Sequence, residues 1–176
     1  DGKPQMVIVV PPDAPAPVRF AGQELKYFMD RITGGQFQIV DTARDQTPAI
    51  ILGDSPETQK AGIDVSKIAR DGYRIIARND RIFIAGRDDQ TSKSHLLFQF
   101  QDVPESKLIR KHDAYDYFAN DVWGFERGTL YGAYRFLEEL GVRWFLPGPK
   151  GLVIPTAKNL EISAFDLHEE PVFEYR

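Results

Sequence analysis

The stretch Arg127-Gly128-Thr129-Leu130-Tyr131-Gly132-Ala133-Tyr134-Arg135-Phe136-Leu137-Glu138-Glu139-Leu140-Gly141-Val142-Arg143-Trp144-Phe145-Leu146-Pro147 decides the fold, because a helix begins, ends and hands over to an aromatic strand within it. Thr129 offers a hydroxyl to cap the start, Gly141 supplies the left-handed residue that ends a helix, and Pro147 stops the strand. At about 100° per residue, Leu130, Tyr134 and Leu137 share one side of the helix and Ala133, Phe136 and Leu140 the next. The apolar arc spans roughly 160°, where an ordinary surface helix buries about 100°. The excess predicts that the side carrying Ala133, Phe136 and Leu140 is covered by another body, and that the domain alone exposes an apolar patch there. Gly132 costs about 1 kcal/mol mid-helix relative to alanine, which predicts a close backbone approach at that point.

Upstream, Met6 to Val10 is an unbroken apolar run ended by Pro11-Pro12 and reads as a central strand buried on both faces. Ala21, Leu25, Phe28 and Ile32 form one helical stripe closed by Gly34-Gly35. Phe37 to Val40 and Ala49 to Leu52 read as short strands, with a turn or short helix near Pro56 to Ala61. Tyr73 to Ala77 and Arg81 to Ala85 flank Arg78-Asn79-Asp80, whose Asn and Asp tolerate positive φ, so this pair reads as a hairpin. Gly151 to Pro155 and Leu160-Glu161-Ile162 suggest a last turn and strand. This order predicts an α/β (α+β) two-layer sandwich, with a mixed sheet and two main helices on one face.

One domain is expected over residues 1–170, with residues 171–176 starting a linker. Between Gly86 and Arg127 lies an insertion, residues 87–126, of about 40 residues where connections usually take about 4 to 6. Its aromatics are too many for a solvated linker, so it is expected to fold onto the domain.

The 176 residues carry a formal charge of −4 without clustered Lys and Arg, which argues against a nucleic-acid partner. With no cysteine there is no disulfide framework, thiolate metal site or cysteine nucleophile. No run approaches the roughly 20 apolar residues of a membrane span. Asp1-Gly2-Lys3-Pro4 does not read as a signal peptide, although a chain whose signal had been cleaved would look the same.

Three histidines, His95, His112 and His168, are too scattered for a zinc motif, and each reads as satisfied or solvated. No P-loop, GxGxxG or nucleophile elbow is present, so no cofactor or metal is expected. Asp113, Asp116, Asp121 and Glu126 lie among aromatics, which reads first as a solvated acidic face and otherwise as a sugar or calcium site. Tyr115, Asp116, Tyr117 and Trp123 are the candidate glycan contacts. Asp88-Asp89 reads as turn polarity. Arg127, Arg143 and Arg176 read as structural pairing, with an anionic contact as the alternative. Trp144 and Phe145 read as buried strand residues, with a sugar-stacking platform as the alternative.

From Arg127 to Gly148, the helix and its Trp144 strand resemble the end of the small domain that precedes the catalytic barrel in β-N-acetylhexosaminidase-like glycoside hydrolases of family 20, and also the corresponding domain of α-glucuronidases. Weaker matches are Glu24-Leu25-Lys26-Tyr27, Ile50 to Gly53, Gly72 to Ile75, Ile82 to Gly86 and Pro171 to Arg176. The resemblance implies a zincin-like fold without a metal site, a secreted or periplasmic enzyme, and a barrel of the same polypeptide as partner. Ala133, Phe136, Leu140, Arg127 and Arg176 are then the candidate domain interface. It places the catalytic carboxylates on the barrel, so no catalytic residue is expected here. An independent carbohydrate-binding module, with an oligosaccharide as partner, is the alternative. The insertion is where the sequence departs from such domains.

Overall fold

The computed structural model describes residues 4–44, 47–90, 126–146 and 148–172. Its sheet is six-stranded and mixed, in the order β2-β1-β3-β5-β4-β8. The strands are β1 (Val7–Val9), β2 (Ile39–Val40), β3 (Ala49–Leu52), β4 (Tyr73–Arg78), β5 (Arg81–Gly86) and β8 (Phe165–Glu169). Around β1, β2 and β3 pair in parallel, and β3 continues in parallel to β5. The β4–β5 hairpin turns through Asn79 and Asp80, both at positive φ as their side chains permit.

Alternation divides the sheet into two faces. Ile8, Ile50 and Ile82 stand in register across neighbouring strands and join one core cluster, while Val9, Ile51 and Phe83 stand one residue on and join the other. The first face is covered by α1 (Ala16–Thr33) and α3 (Gly128–Glu139), whose buried residues include Leu25, Phe28, Ile32, Leu130, Phe136 and Leu137. The second face receives Ala61, Ile63 and Ile68, which follow the short helix α2 (Pro56–Lys60). Burial of β1 on both faces follows from this arrangement.

Helix ends agree with local chemistry at one terminus and differ at another. At the C-terminus of α3, Val142 N donates to Leu137 O and Gly141 N to Glu138 O, with Gly141 at φ 94°, a Schellman closure. Arg143 Nη1 adds bonds to the carbonyls of Glu138 and Val142, at 2.6 and 2.7 Å. At the N-terminus, Thr129 lies inside the helix and is not its cap; the residue before the helix is Arg127, whose side chain makes no capping bond. The cap comes instead from Asp88, as described below.

The last strand is also displaced from its expected place. Leu160–Ile162 is not a strand, and the sheet's edge is β8, antiparallel to β4. Side chains hold this edge. Arg74 grips Asp166 through two bonds of 2.8 and 2.7 Å, Arg135 Nε reaches Glu169 at 3.2 Å, and the Tyr73 hydroxyl donates to Glu169. Burial, reinforced by the Glu169 carboxylate, raises the Tyr73 phenol well above its usual range. A two-stranded hairpin, β6 (Arg143–Trp144) with β7 (Leu152–Val153), stands beside the main sheet. The proposed stop at Pro147 lies outside the described residues.

Candidate functional site

Two places concentrate unusual chemistry. The first is the start of α3, where residues 87–89 and 126–129 run antiparallel. Asp89 N donates to Glu126 O and Gly128 N to Arg87 O, each at 2.8 Å, and Asp88 bridges Arg127. Arg87 and Glu126 add a two-pronged ion pair with N–O distances of 3.2 and 2.7 Å. Gly128 packs so tightly that an added Cβ would lie 2.2 Å from Gly72 O and 2.8 Å from Arg87 N, which leaves room only for glycine.

Asp88 closes this neck onto the helix. Its Oδ1 accepts the Thr129 N–H at 3.1 Å and its Oδ2 the Thr129 hydroxyl at 2.5 Å, while Thr129 Oγ1 accepts the Gly86 N–H at 3.0 Å. Asp71 Oδ1 takes the neighbouring Arg127 N–H at 3.1 Å. Two of the orphan donors of a helix start are thereby met from other elements. Loss of hydration outweighs the Thr129 hydrogen bonds, and the negative charges of Glu126 and Asp71 add to it, so the Asp88 carboxyl is pushed up to about 7. Asp88 is thus a structural acid and not the turn polarity read from the sequence. A side chain that caps a helix from a segment 41 positions away in the chain leaves no local signature.

The second place is an apolar surface beside β6. Phe145 and Leu146 are 72% and 66% exposed, with Trp144, Tyr27 and Val153 also open. Trp144 meets Phe28 and Tyr134 edge-on, each at 5.4 Å between ring centroids, so it ties this surface to both long helices. Beneath it the Tyr134 hydroxyl donates to Glu24 at 3.0 Å, and burial raises the Glu24 carboxyl despite that bond.

This corrects the expected position of the apolar patch. Ala133 and Phe136 are 0% exposed within the chain's own core and offer no surface to a partner, and Leu140 is half-buried against that core. The sheet and α1 together cover the wide arc, because α3 lies in the angle between them. Trp144 and Phe145, expected to be buried in a strand, are exposed, since β6 is only two residues long and stands off the main sheet, and Phe145 already lies beyond its end. Arg127 is half-buried, its guanidinium 5.7 Å from the Tyr131 ring centroid, and Arg143 serves the helix end. Tyr115, Asp116, Tyr117, Trp123 and Arg176 lie outside the described residues, as do His95 and His112.

His168 Nε2 lies 3.0 Å from Glu170 Oε1 on the surface. Among the described residues no three His, Asp or Glu side chains gather into a metal-holding group. No helix among them is long and apolar enough to cross a membrane.

The architecture defines a mixed α/β two-layer domain. No protein-family model matches the sequence, and no curated protein matches it. Among solved structures, the chain is similar in fold to part of a family GH115 4-O-methyl-alpha-glucuronidase with specificity for decorated arabinogalactans, with a TM-score of 0.61 and 17% identity. The match covers 99% of this chain and 18% of that enzyme's chain, so this fold occurs there as a small part of a much longer glycoside hydrolase.

Proposed function

We propose that the chain is a non-catalytic accessory domain of a secreted or periplasmic glycoside hydrolase, of the kind that accompanies the barrel in β-N-acetylhexosaminidase-like enzymes and α-glucuronidases. The observation that carries this reading is the fold likeness in which nearly the whole chain corresponds to 18% of a glucuronidase. The surface of Tyr27, Trp144, Phe145, Leu146 and Val153 supports a large apolar partner. That partner is the catalytic barrel of the same polypeptide, docked on the β6 side of the two helices rather than on Ala133 and Phe136.

The test uses the polypeptide encoded by the complete gene beside the 176-residue chain. A barrel of roughly 250 residues is expected beyond Arg176, and aryl-glycoside hydrolysis is expected from the longer protein alone. Joint substitution Phe145→Ser and Leu146→Ser should remove about 2–4 kcal/mol from the longer protein's stability, the value of burying the 72% and 66% of these side chains that the isolated chain leaves exposed. The isolated chain should change by less than about 0.5 kcal/mol. Hydrolysis by the isolated chain, a stop codon directly after Arg176, or an equal effect of the substitutions on both proteins would overturn the reading.

A further inference from the structure

A carboxylate is built into the open apolar surface beside β6. Glu24 lies on α1 one helical turn before Tyr27 and Phe28. Trp144 packs edge-on against Phe28 and against Tyr134, whose hydroxyl donates to Glu24 Oε2 at 3.0 Å. The neighbours of this acid are therefore aromatic rings. Its Oε1 receives no hydrogen bond from the described residues and keeps some contact with solvent. No ion pair among the described residues includes Glu24. The cations of the two long helices are engaged elsewhere: Arg19 donates to the Ala14 carbonyl, Lys26 pairs with Asp30 at 2.6 Å, Arg31 donates to Tyr27, and Arg135 pairs with Glu139 at 2.5 Å.

This pattern constrains what can settle on the surface. The exposed groups there, Tyr27, Trp144, Phe145, Leu146 and Val153, carry no charge, so a covering body buries apolar area and at the same time takes the remaining water from Glu24. The Tyr134 bond does not offset the water that Glu24 has already lost, and its carboxyl is raised. Removing the rest without a counter-charge would strand an acid in an apolar contact or force it to take up a proton, and either weakens association. A purely hydrophobic face is thus a poor match, and an apolar face carrying one cation is a good one. Guanidinium fits better than ammonium, because it is more weakly hydrated, packs flat on aromatic rings and offers two parallel N–H donors to one carboxylate.

We infer that Glu24 is the charged anchor of the docking surface, and that the barrel bound there inserts an arginine that pairs with Glu24 among Tyr27, Trp144 and Tyr134. The inference rests on the reading of the chain as an accessory domain whose barrel docks on the β6 side, and adds to it the chemistry of the contact.

The crystal structure of the longer protein encoded by the complete gene tests it. An arginine guanidinium of the barrel is expected within about 4 Å of the Glu24 carboxylate. A barrel seated over Phe145 and Leu146 that gives Glu24 only apolar groups, neutral donors, lysine or water would overturn the anchor and leave the accessory-domain reading in place. A barrel seated elsewhere would overturn both. Amide exchange of the Phe145 N–H, which bonds the Gly151 carbonyl at 2.8 Å, measures the strength of the contact in the same protein. Glu24→Gln keeps an acceptor for the Tyr134 hydroxyl, and in the longer protein it should lower Phe145 protection roughly 10- to 100-fold, the value of a hydrogen bond between charged partners. In the isolated chain, which lacks the barrel's arginine, the change should stay within about threefold. Replacing the facing arginine by glutamine should remove most of the effect of Glu24→Gln. Unchanged protection in the longer protein would overturn the anchor, and so would an equal loss in both proteins, which would make Glu24 a support of the chain's own fold.

Discussion

Replacing Phe136 by alanine separates a core residue from an interface residue. Phe136 is 0% exposed, among the largest fully buried side chains, and shares one cluster with Leu25, Ile75 and Ile84. Truncation removes the ring from that cluster and leaves a cavity that α1, α3 and the sheet cannot readily close. The cost is about 3–5 kcal/mol, a large part of the roughly 5–15 kcal/mol that holds a domain together. At about 2–4 °C per kcal/mol for a chain of this size, Tm should drop by roughly 6–20 °C. Urea unfolding of the isolated chain should show a lower midpoint at an unchanged slope, the signature of lost native stability rather than a changed unfolded state. Had Phe136 faced a missing partner, the isolated chain would lose almost nothing. A loss below about 1 kcal/mol in the isolated chain would refute the assignment of Phe136 to the core.

Two further substitutions probe the packing of the helices. Gly132→Val should destabilise the chain by about 1–3 kcal/mol, since a Cβ there already lies 2.8 Å from Ile84 Cγ2 and 3.3 Å from Tyr73 Cβ; thermal unfolding should show the loss, and a stabilised variant would mean that α3 can lift from the sheet without cost. Thr58→Val preserves shape but removes the hydroxyl that accepts the Ser55 N–H at 2.9 Å and bonds the Gly53 carbonyl at 2.9 Å, both inside a buried capping box. A loss of about 1–3 kcal/mol is expected from these unmatched groups, measured by denaturant titration, and a neutral result would mean that water replaces them.

The residues themselves determined most of the elements, because helix and strand periodicity and end signals act over a few neighbours. The stripe of Ala21, Leu25, Phe28 and Ile32, the hairpin at Asn79-Asp80 and the helix end at Gly141 were legible for that reason. Strand β8 escaped notice because Phe165–Glu169 alternates only partly buried residues with exposed ones at a sheet edge, a weak pattern, and is held by Arg74, Tyr73 and Arg135 from far along the chain. A helical wheel shows how wide an apolar arc is and not what covers it. Only the packing of α3 between α1 and the sheet placed Phe136 inside and left Phe145 and Leu146 outside. The same holds for Asp88, whose capping of Thr129 joins residues 41 positions apart. Its altered acidity arises from the loss of water and the carboxylates that the folded chain gathers around it, and neither exists until the tertiary structure forms.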